Sequence, residues 1–356
     1  MSEEERLHDI KHAFVDLADE RMGTRALYCT DDFFAPMENL LKPAEPVHKP
    51  GEFTEHGKWM DGWESRRKRT GGHDYCIIRL GVSGIIKAVD IDTSYFTGNY
   101  PAQASLDACN SDGPPGETTQ WTEIIPKSSL EGDSHNLFDS DDTNIWTHAR
   151  LNIYPDGGVA RLRLFGNVYR DWSDVNNKKL IDLAAVENGG RTLACNDEHF
   201  GVMGNINMPG RGINMGDGWE TRRRRDDGHD WLILQLGHAG IIESINIDTA
   251  FFKGNYPDRV SLDALYLSGF TKDAPTLEEV AWHDVLGLIL EQDPDALLKD
   301  GATWQTLLPE HKMGPDREHL LRKELQDTGP VSHIRINMHP DGGISRFRVF
   351  GYKYNE

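Results

Sequence analysis

The residues best suited to chemistry lie in a seven-residue stretch that the chain contains twice, at residues 61–67 and 217–223. Each copy reads Asp-Gly-Trp-Glu, then Ser or Thr, then Arg-Arg. A glutamate can transfer a proton, and an arginine can bind a carboxylate through two parallel hydrogen bonds. The stretch therefore favours a small anionic ligand, with Glu64 and Glu220 as candidate acids or bases.

The arginines of this stretch are the first candidates for binding such a ligand, namely Arg66, Arg67, Arg222 and Arg223. Neighbouring side chains of an extended segment point in opposite directions, so the two arginines of a pair are not expected to face one ligand. We expect one arginine of each pair to bind the ligand and the other to form an ion pair at the surface.

A second set of candidates follows each copy of the stretch. His73 and Asp74, repeated as His229 and Asp230, place an imidazole that titrates near neutral pH beside a carboxylate. A histidine and an arginine two residues apart on a strand share one face of the sheet. This pattern adds four candidates for ligand binding, namely His148, Arg150, His333 and Arg335.

Several of these motifs also fit purely structural roles. An aspartate before a glycine satisfies local backbone donors, which favours a turn at Asp61 and Asp217 over catalysis. The two tryptophans fit the core or a pocket wall. The histidines of Gly-His-Asp fit either a site or a hydrogen-bonded loop, and Asn99 and Asn255 are expected to set turns.

The duplication extends well beyond the opening stretch. Residues 61–108 align without gaps with residues 217–264, and 28 of these 48 positions are identical. Such a match indicates the duplication of a whole domain. The predicted organisation is a first repeat at 1–170, a polar linker at 171–179, and a second repeat at 180–356 with an insertion near 265–303.

Duplication leaves the number of sites open. Features common to both copies are either structural or belong to two similar sites. One shared site would instead use residues that differ between the copies, such as Glu198 and His199, which replace Asp32 and Phe33.

Short β-branched segments between Gly, Asn and Pro turns predict an antiparallel all-β domain in each repeat. In the first repeat we expect one strand at 75–80, a glycine-bounded turn, and a second strand at 85–92. Pro-Asp-Gly-Gly at 155–158 predicts a hairpin. In the insertion, residues 277–290 predict a helix with its apolar stripe at Val280, Val285, Leu286 and Ile289.

The amino-acid composition disfavours several classes of binding partner and location. The 356 residues contain 38 Lys and Arg against 58 Asp and Glu, and the formal net charge of -20 disfavours nucleic acids and anionic membranes. The acidic amino terminus differs from a signal peptide, and no run approaches the 18 apolar residues of a membrane span. We therefore expect a soluble cytoplasmic protein whose four cysteines, which form no C-x-x-C pair, are reduced thiols.

Together the motifs resemble the allantoicase family over nearly the whole chain. They are the doubled D-G-W-E-[ST]-R-R, G-H-D, [DN]-I-D-T-x-[YF]-F-x-G-N-Y-P, S-L-D-A and H-x-R-[LI]-N-[IM]-x-P-D-G-G. The resemblance implies two tandem jelly-roll β-sandwich domains, similar to discoidin and galactose-binding-like modules. It also implies hydrolysis of allantoate to ureidoglycolate and urea in purine degradation, and a homo-oligomer.

That reaction breaks a bond between an sp3 carbon and a nitrogen. It therefore needs an acid for the departing urea, a base for water and a cation for the carboxylate, and it does not call for a serine triad with an oxyanion hole. The candidate residues supply these groups in each repeat. A divalent metal is a further option, but no compact ligand spacing is present and no metal ligand is predicted. A non-catalytic binding protein for a small anionic ureide or a sugar is the alternative.

Overall fold

The structure, a computed structural model, describes residues 2–268, 287, 289–298 and 301–355. It divides into two compact units, Met1–Tyr169 and Arg170–Glu356. Within the segment predicted as a linker, Trp172 and Val175 are buried in the core of the second unit. The exact limits of the repeats and of the linker stay a prediction. None of the described helices is long and apolar enough to cross a membrane.

The first unit begins with a helix that the sequence analysis did not predict, α1 (Glu3–Ala13). Ser2 and Glu5 form a capping box at its start, and Leu7 and Ile10 pack against Ala88 and Phe165. Strands follow: β1 (Val15–Asp16), β2 (Arg25–Cys29), β3 (Phe53–Thr54), β4 (Gly57–Lys58), β5 (Trp63–Glu64), β6 (Asp74–Asp92), β7 (Gln103–Cys109), β8 (Thr122–Ser129), β9 (Leu137–Asp139), β10 (Trp146–Tyr154), β11 (Gly158–Val159) and β12 (Arg161–Val168).

The long strand β6 belongs to both sheets of the sandwich in this unit. Its first half lies between β2 and β10, and the sheet continues through β7 to β8. Its second half lies between β12 and β9, and β1 adds to the far side of β12. All of these pairs are antiparallel, so the all-β prediction is confirmed.

Two local predictions were wrong. No turn interrupts β6, because its glycines allow close backbone approach instead: a Cβ on Gly81 would lie 2.1 Å from the Met22 carbonyl oxygen. The segment at 155–158 does not close a hairpin, since β10 and β12 both pair with β6 and not with each other. It carries the chain from one sheet of the sandwich to the other.

The second unit repeats this architecture. Its strands are β13 (Leu180–Asp182), β14 (Arg191–Cys195), β15 (Trp219–Glu220), β16 (Asp230–Asp248), β17 (Arg259–Leu265), β18 (Gln305–Lys312), β19 (Glu318–Leu321), β20 (Pro330–His339), β21 (Gly343–Ile344) and β22 (Arg346–Lys353). Strand β16 again joins two sheets, with β14 and β20 on its first half and β19 and β22 on its second. Five short 3-10 helices occur among the described residues: Glu20–Met22, Met37–Leu41, Val186–Asn188, Met203–Asn205 and Met215–Asp217.

Most of the insertion helix predicted at 277–290 lies outside the described residues. At its described end, Leu290 is buried and Ile289 is 46% exposed. Leu290 and Leu297 cover Ile233 and Leu265 on one sheet face of the second unit.

Candidate functional site

Short strand pairs gather the motif loops at one end of each sandwich. In the first unit β5 pairs with β11, so Glu64 lies opposite Gly158. The Gly158 N–H donates to the Asn99 carbonyl oxygen at 2.7 Å, and Ala35 bridges to Glu64 from the other side. We call the resulting group loop cluster 1, and it comprises Asp31, Phe33, Glu64, Arg66 and Asn99. Its counterpart in the second unit, loop cluster 2, comprises Asp197, His199, Glu220, Arg222 and Asn255.

Packing at this end explains why the loops are rich in glycine. The buried ring of Phe96 lies beneath the loops, and a Cβ on Gly158 would lie 2.0 Å from it. A Cβ on Gly157, whose φ is +141°, would lie 2.6 Å from the Pro101 nitrogen. The Pro-Asp-Gly-Gly segment therefore closes against the Gly-Asn-Tyr-Pro loop, and this contact places Asn99 next to Glu64.

A glutamate–asparagine pair is the centre of each loop cluster. In the first unit Asn99 Nδ2 donates to Glu64 Oε1 at 2.7 Å, and Glu64 is half-buried. Burial raises the pKa of Glu64 above its ordinary value, against the opposing effects of the Asn99 hydrogen bond and the Lys58 charge. In the second unit the Asn255 amide donates to Glu220, which is buried.

The first arginine of each pair lies at the surface beside its cluster. Arg66 Nε donates to Asp31 Oδ2 at 2.7 Å, its backbone N–H donates to Asp31 Oδ1, and its guanidinium lies 5.0 Å from the Phe33 ring. Arg222 Nε donates instead to His199 Nδ1 at 3.1 Å and lies 3.8 Å from Asp197. Arg67 and Arg223 are exposed and make no hydrogen bond or ion pair with any described residue.

The remaining residues of the doubled stretch are structural. Trp63 and Trp219 are fully buried, which confirms the core interpretation, and each indole N–H donates to the backbone oxygen of Asp31 or Asp197 at 2.9 Å. The tryptophans thus hold the aspartates that contact the arginines.

Asp61 is structural too, but the local turn bonding expected for it was wrong. It is buried and accepts from Arg161 Nη2 at 2.8 Å and from the distant Val47 N–H. Asp217 forms the equivalent buried pair with Arg346 at 2.7 Å. These pairs anchor the start of the doubled stretch to the strand that follows Pro-Asp-Gly-Gly.

His73 and Arg150 meet in a second group, on the face of the sheet formed by β6, β10 and β7. His73 Nε2 lies 3.3 Å from Asn152 Oδ1, and both Asn152 and Arg150 donate to Asp107 Oδ2, at 2.9 and 2.6 Å. The second unit repeats this sheet-face cluster with His229, Asn337, Asp263 and Arg335. In both units the arginine and the histidine are connected through one asparagine and one aspartate.

Asp74 and Asp230 are buried beneath these loops. Asp74 Oδ1 accepts from Lys68 Nζ at 2.6 Å and from Thr30 Oγ1 at 2.8 Å. Asp230 Oδ1 accepts from Arg224 Nη1 at 2.6 Å. Each buried carboxylate forms an ion pair with the partly exposed residue just after the Arg-Arg pair.

His148 and His333 are each only 2% exposed. His148 Nδ1 lies 2.9 Å from Thr147 Oγ1, and burial lowers the pKa of the imidazole, which favours its neutral form. His333 Nδ1 lies 2.9 Å from Ser332 Oγ. Both imidazoles are therefore separated from solvent by the sheet.

Sequence reasoning missed the roles of Asn99 and Asn255, which were expected only to set turns. Their occurrence in Gly-Asn-Tyr-Pro in both copies was the available signal, but the side-chain contact to glutamate depends on loops that are distant in sequence. It also missed Asp31 and Asp197, which are identical in the two copies but lie outside the long motifs.

The cysteines and the acidic side chains bear on redox and metal chemistry. All four cysteines are free thiols. Across the described ranges, no group of three or more His, Cys, Asp or Glu side chains is arranged to hold a metal ion.

Comparison with known proteins tests the resemblance inferred from the motifs. The allantoicase repeat matches residues 15–169 and again 181–354. The chain is 50% identical over 345 residues to a probable allantoicase of Ralstonia nicotianae, covering 96% of each chain. It is 49% identical over 339 residues to probable allantoicase 1 of Burkholderia mallei, covering 95% of this chain and 94% of the relative.

The structural comparison agrees. The crystal structure of allantoicase from Saccharomyces cerevisiae superposes with a TM-score of 0.78 at 32% identity and covers 99% of each chain. The duplicated jelly-roll β-sandwich fold and the family resemblance are confirmed. The chain belongs to the allantoicase family.

Proposed function

We propose that this chain hydrolyses allantoate to ureidoglycolate and urea, and that loop clusters 1 and 2 are its two active sites. One observation carries the assignment of the sites: a glutamate held by an asparagine recurs in both units beside an exposed arginine. Family membership supports the reaction, and the geometry supports the location.

Glu64 supplies both proton transfers. Because burial raises the pKa of Glu64, its protonated form persists to higher pH than that of an ordinary glutamate. The acid protonates the nitrogen of one ureido group, the C–N bond breaks with its electron pair leaving on urea, and the other ureido nitrogen forms a C=N bond to the carbon. Water then adds to that carbon and the Glu64 carboxylate takes its proton, which yields ureidoglycolate and restores the acid.

Asn99 fixes which carboxyl oxygen carries the proton. Its amide N–H donates to Oε1, so Oε1 serves as the acceptor and the proton resides on Oε2. Asn255 plays the same part for Glu220. The asparagine therefore aims one oxygen of the acid at the substrate.

Arg66 and Arg222 bind the substrate carboxylate. Each stands two residues after its glutamate on an extended segment and so shares its side. Asp31 engages Nε and Nη2 of Arg66, which leaves Nη1 for the ligand. The exposed Arg67 and Arg223, one residue further on, add positive charge at the entrance.

We assign supporting roles to the other predicted site residues. Asp74 and Asp230 hold the loop through their ion pairs with Lys68 and Arg224. The sheet-face clusters fix His73 and His229, which directly precede β6 and β16, to Asn152 and Asn337. The proposal includes cytoplasmic location, which the four free thiols favour, and the homo-oligomer expected from the family.

The experiment is a urea-release assay with purified protein and allantoate. Wild type should form equal amounts of urea and ureidoglycolate, and Glu64→Gln combined with Glu220→Gln should lower kcat by about 100-fold or more. Glu117→Gln, which changes an exposed loop glutamate, is the matched control and should behave as wild type.

Wild type that binds allantoate without releasing urea would identify a binding protein and contradict the proposed reaction. A fully active double variant would contradict the assignment of the sites.

A further inference from the structure

Two aromatic residues at equivalent positions adopt a backbone conformation that bulky side chains rarely occupy. Tyr95 has a φ of 68° and Phe251 a φ of 70°. Glycine and asparagine accept this left-handed region far more readily than an aromatic residue does. Strain of this kind, kept in both copies of a duplicated domain, points to a use for the residue that carries it.

An aspartate holds each strained residue in place. The Tyr95 N–H donates to Asp133 Oδ1 at 2.6 Å, and the Phe251 N–H donates to Asp316 Oδ1 at 2.7 Å. Both aspartates also have positive φ, at 55° and 49°. Each strained residue is therefore held by an aspartate that is far away in sequence. The same hydrogen bond occurs in both units, although the ring changes from Tyr to Phe.

The unusual backbone turns one ring inward and its neighbour outward. Phe96 and Phe252 are fully buried beneath the loop glycines, whereas Tyr95 is 40% exposed and Phe251 is 39% exposed. Exposing a large ring contributes nothing to the core. Each outward ring precedes the asparagine of its loop cluster by four residues, in the same loop between β6 and β7 or between β16 and β17.

We infer that Tyr95 and Phe251 are specificity residues whose rings stack on a planar ureido group of the substrate. The inference rests on the proposed function and names the substrate group that these two rings recognise. In the first unit the His48 ring stacks on Tyr95 with a centroid distance of 5.3 Å, so the ligand uses the other face of Tyr95. Because Phe251 has no hydroxyl, recognition depends on the ring face and not on a hydrogen bond.

The test replaces both rings by glycine, as Tyr95→Gly with Phe251→Gly. Glycine accepts positive φ, so Tm should stay the same or rise. The KM for allantoate should rise about five-fold while kcat stays within about two-fold. Tyr95→Phe keeps the ring face and should therefore restore the wild-type KM, and Glu117→Gln, outside the proposed site, is the control. An unchanged KM in the glycine variant would overturn the inference.

Binding of N-carbamoylglycine, followed by calorimetry, separates this inference from the proposed reaction. This probe carries one ureido group and one carboxylate but no second nitrogen to expel urea. Its Kd should rise about five-fold in the glycine variant whether or not wild type turns over allantoate. Equal Kd values, or no binding by wild type, would overturn the inference.

If the glycine variant has a lowered Tm, the same measurements are made on Tyr95→Asn with Phe251→Asn. Asparagine tolerates positive φ better than other non-glycine residues, so this pair removes the rings without adding backbone strain. The same five-fold rise in KM is expected, and an unchanged KM in this folded variant would overturn the inference.

Discussion

Loop cluster 1 and loop cluster 2 hold the same glutamate–asparagine pair in different surroundings. Glu64 is half-buried, whereas Glu220 is buried and its Asn255 also lies 3.8 Å from the Met215 sulfur. Arg66 is fixed by a carboxylate, whereas Arg222 is hydrogen-bonded to an imidazole. The two proposed sites therefore share a glutamate held by an asparagine and differ in the groups that hold the nearby arginine.

Some features of the loop clusters are therefore common to both units, and others differ between them. The glutamate, its asparagine and the strained aromatic position recur in both units, as the proposed mechanism requires. The arginine's neighbours differ, because Phe33 in one unit is His199 in the other. The hydrogen-bond partner of the arginine thus differs between the copies, whereas the glutamate–asparagine pair is retained in both.

Removal of the asparagine should affect the buried acid more. We expect Asn255→Ala in a Glu64→Gln background to lower kcat about ten-fold, because no water easily replaces a lost hydrogen bond to buried Glu220. Asn99→Ala in a Glu220→Gln background should lower kcat about three-fold, since Glu64 is partly solvated. Steady-state urea release measures both.

Asn110→Ala is the control for this pair. Asn110 follows β7, whereas Asn99 precedes it, so the control amide lies at the opposite end of the strand and bonds a backbone oxygen at Ile145. Equal losses in the two asparagine variants would show that the difference in burial between the glutamates has no catalytic consequence.

A smaller difference concerns pH and stability. In the first unit His135 Nδ1 lies 2.7 Å from Asp90, and that hydrogen bond raises the pKa of His135 to about 9. In the second unit the same place holds Asn246 donating to Glu318 at 2.8 Å, an amide that does not titrate. The units should therefore respond differently to alkaline pH.

Because the pKa of His135 is raised on folding, its stabilisation is complete below the ordinary histidine pKa and is lost as pH rises through about 9. We expect the free energy of unfolding to fall by about 1 kcal/mol over this range. This figure is discounted for solvent screening because the His135 side chain is about one-third exposed. Denaturant unfolding between pH 6 and 10 should show this loss in wild type and in Glu318→Gln, but not in His135→Gln. The same loss in His135→Gln would contradict the assignment.

Much of the fold could be predicted from the sequence, because short local patterns indicate strands and the same patterns occur in both repeats. The β-branched segments and the gapless match between residues 61–108 and 217–264 predicted two similar β domains. The pattern could not predict that β6 continues through Gly81 and Gly84, since a glycine marks a turn and a close backbone contact equally well. Helix α1 was missed because its sequence is short, charged and present in one copy alone.

The proposed site includes some of the residues that were named from the sequence. Glu64 and Arg66 were named from their types and spacing alone, and they remain in the proposed site. His148 is buried in the folded unit, and the loop before β6 brings Lys68 to Asp74. No spacing rule reveals either feature. Asn99 and Tyr95 acquire their roles from contacts with residues 35 and 38 positions away along the chain.

The most direct test of two working active sites compares Glu64→Gln and Glu220→Gln as single variants. Each should keep roughly half of the wild-type kcat with an unchanged KM, because the other unit still works, and the combined variant should lose about 100-fold or more. One single variant as inactive as the combined variant, beside another with full activity, would contradict this account and leave one working site.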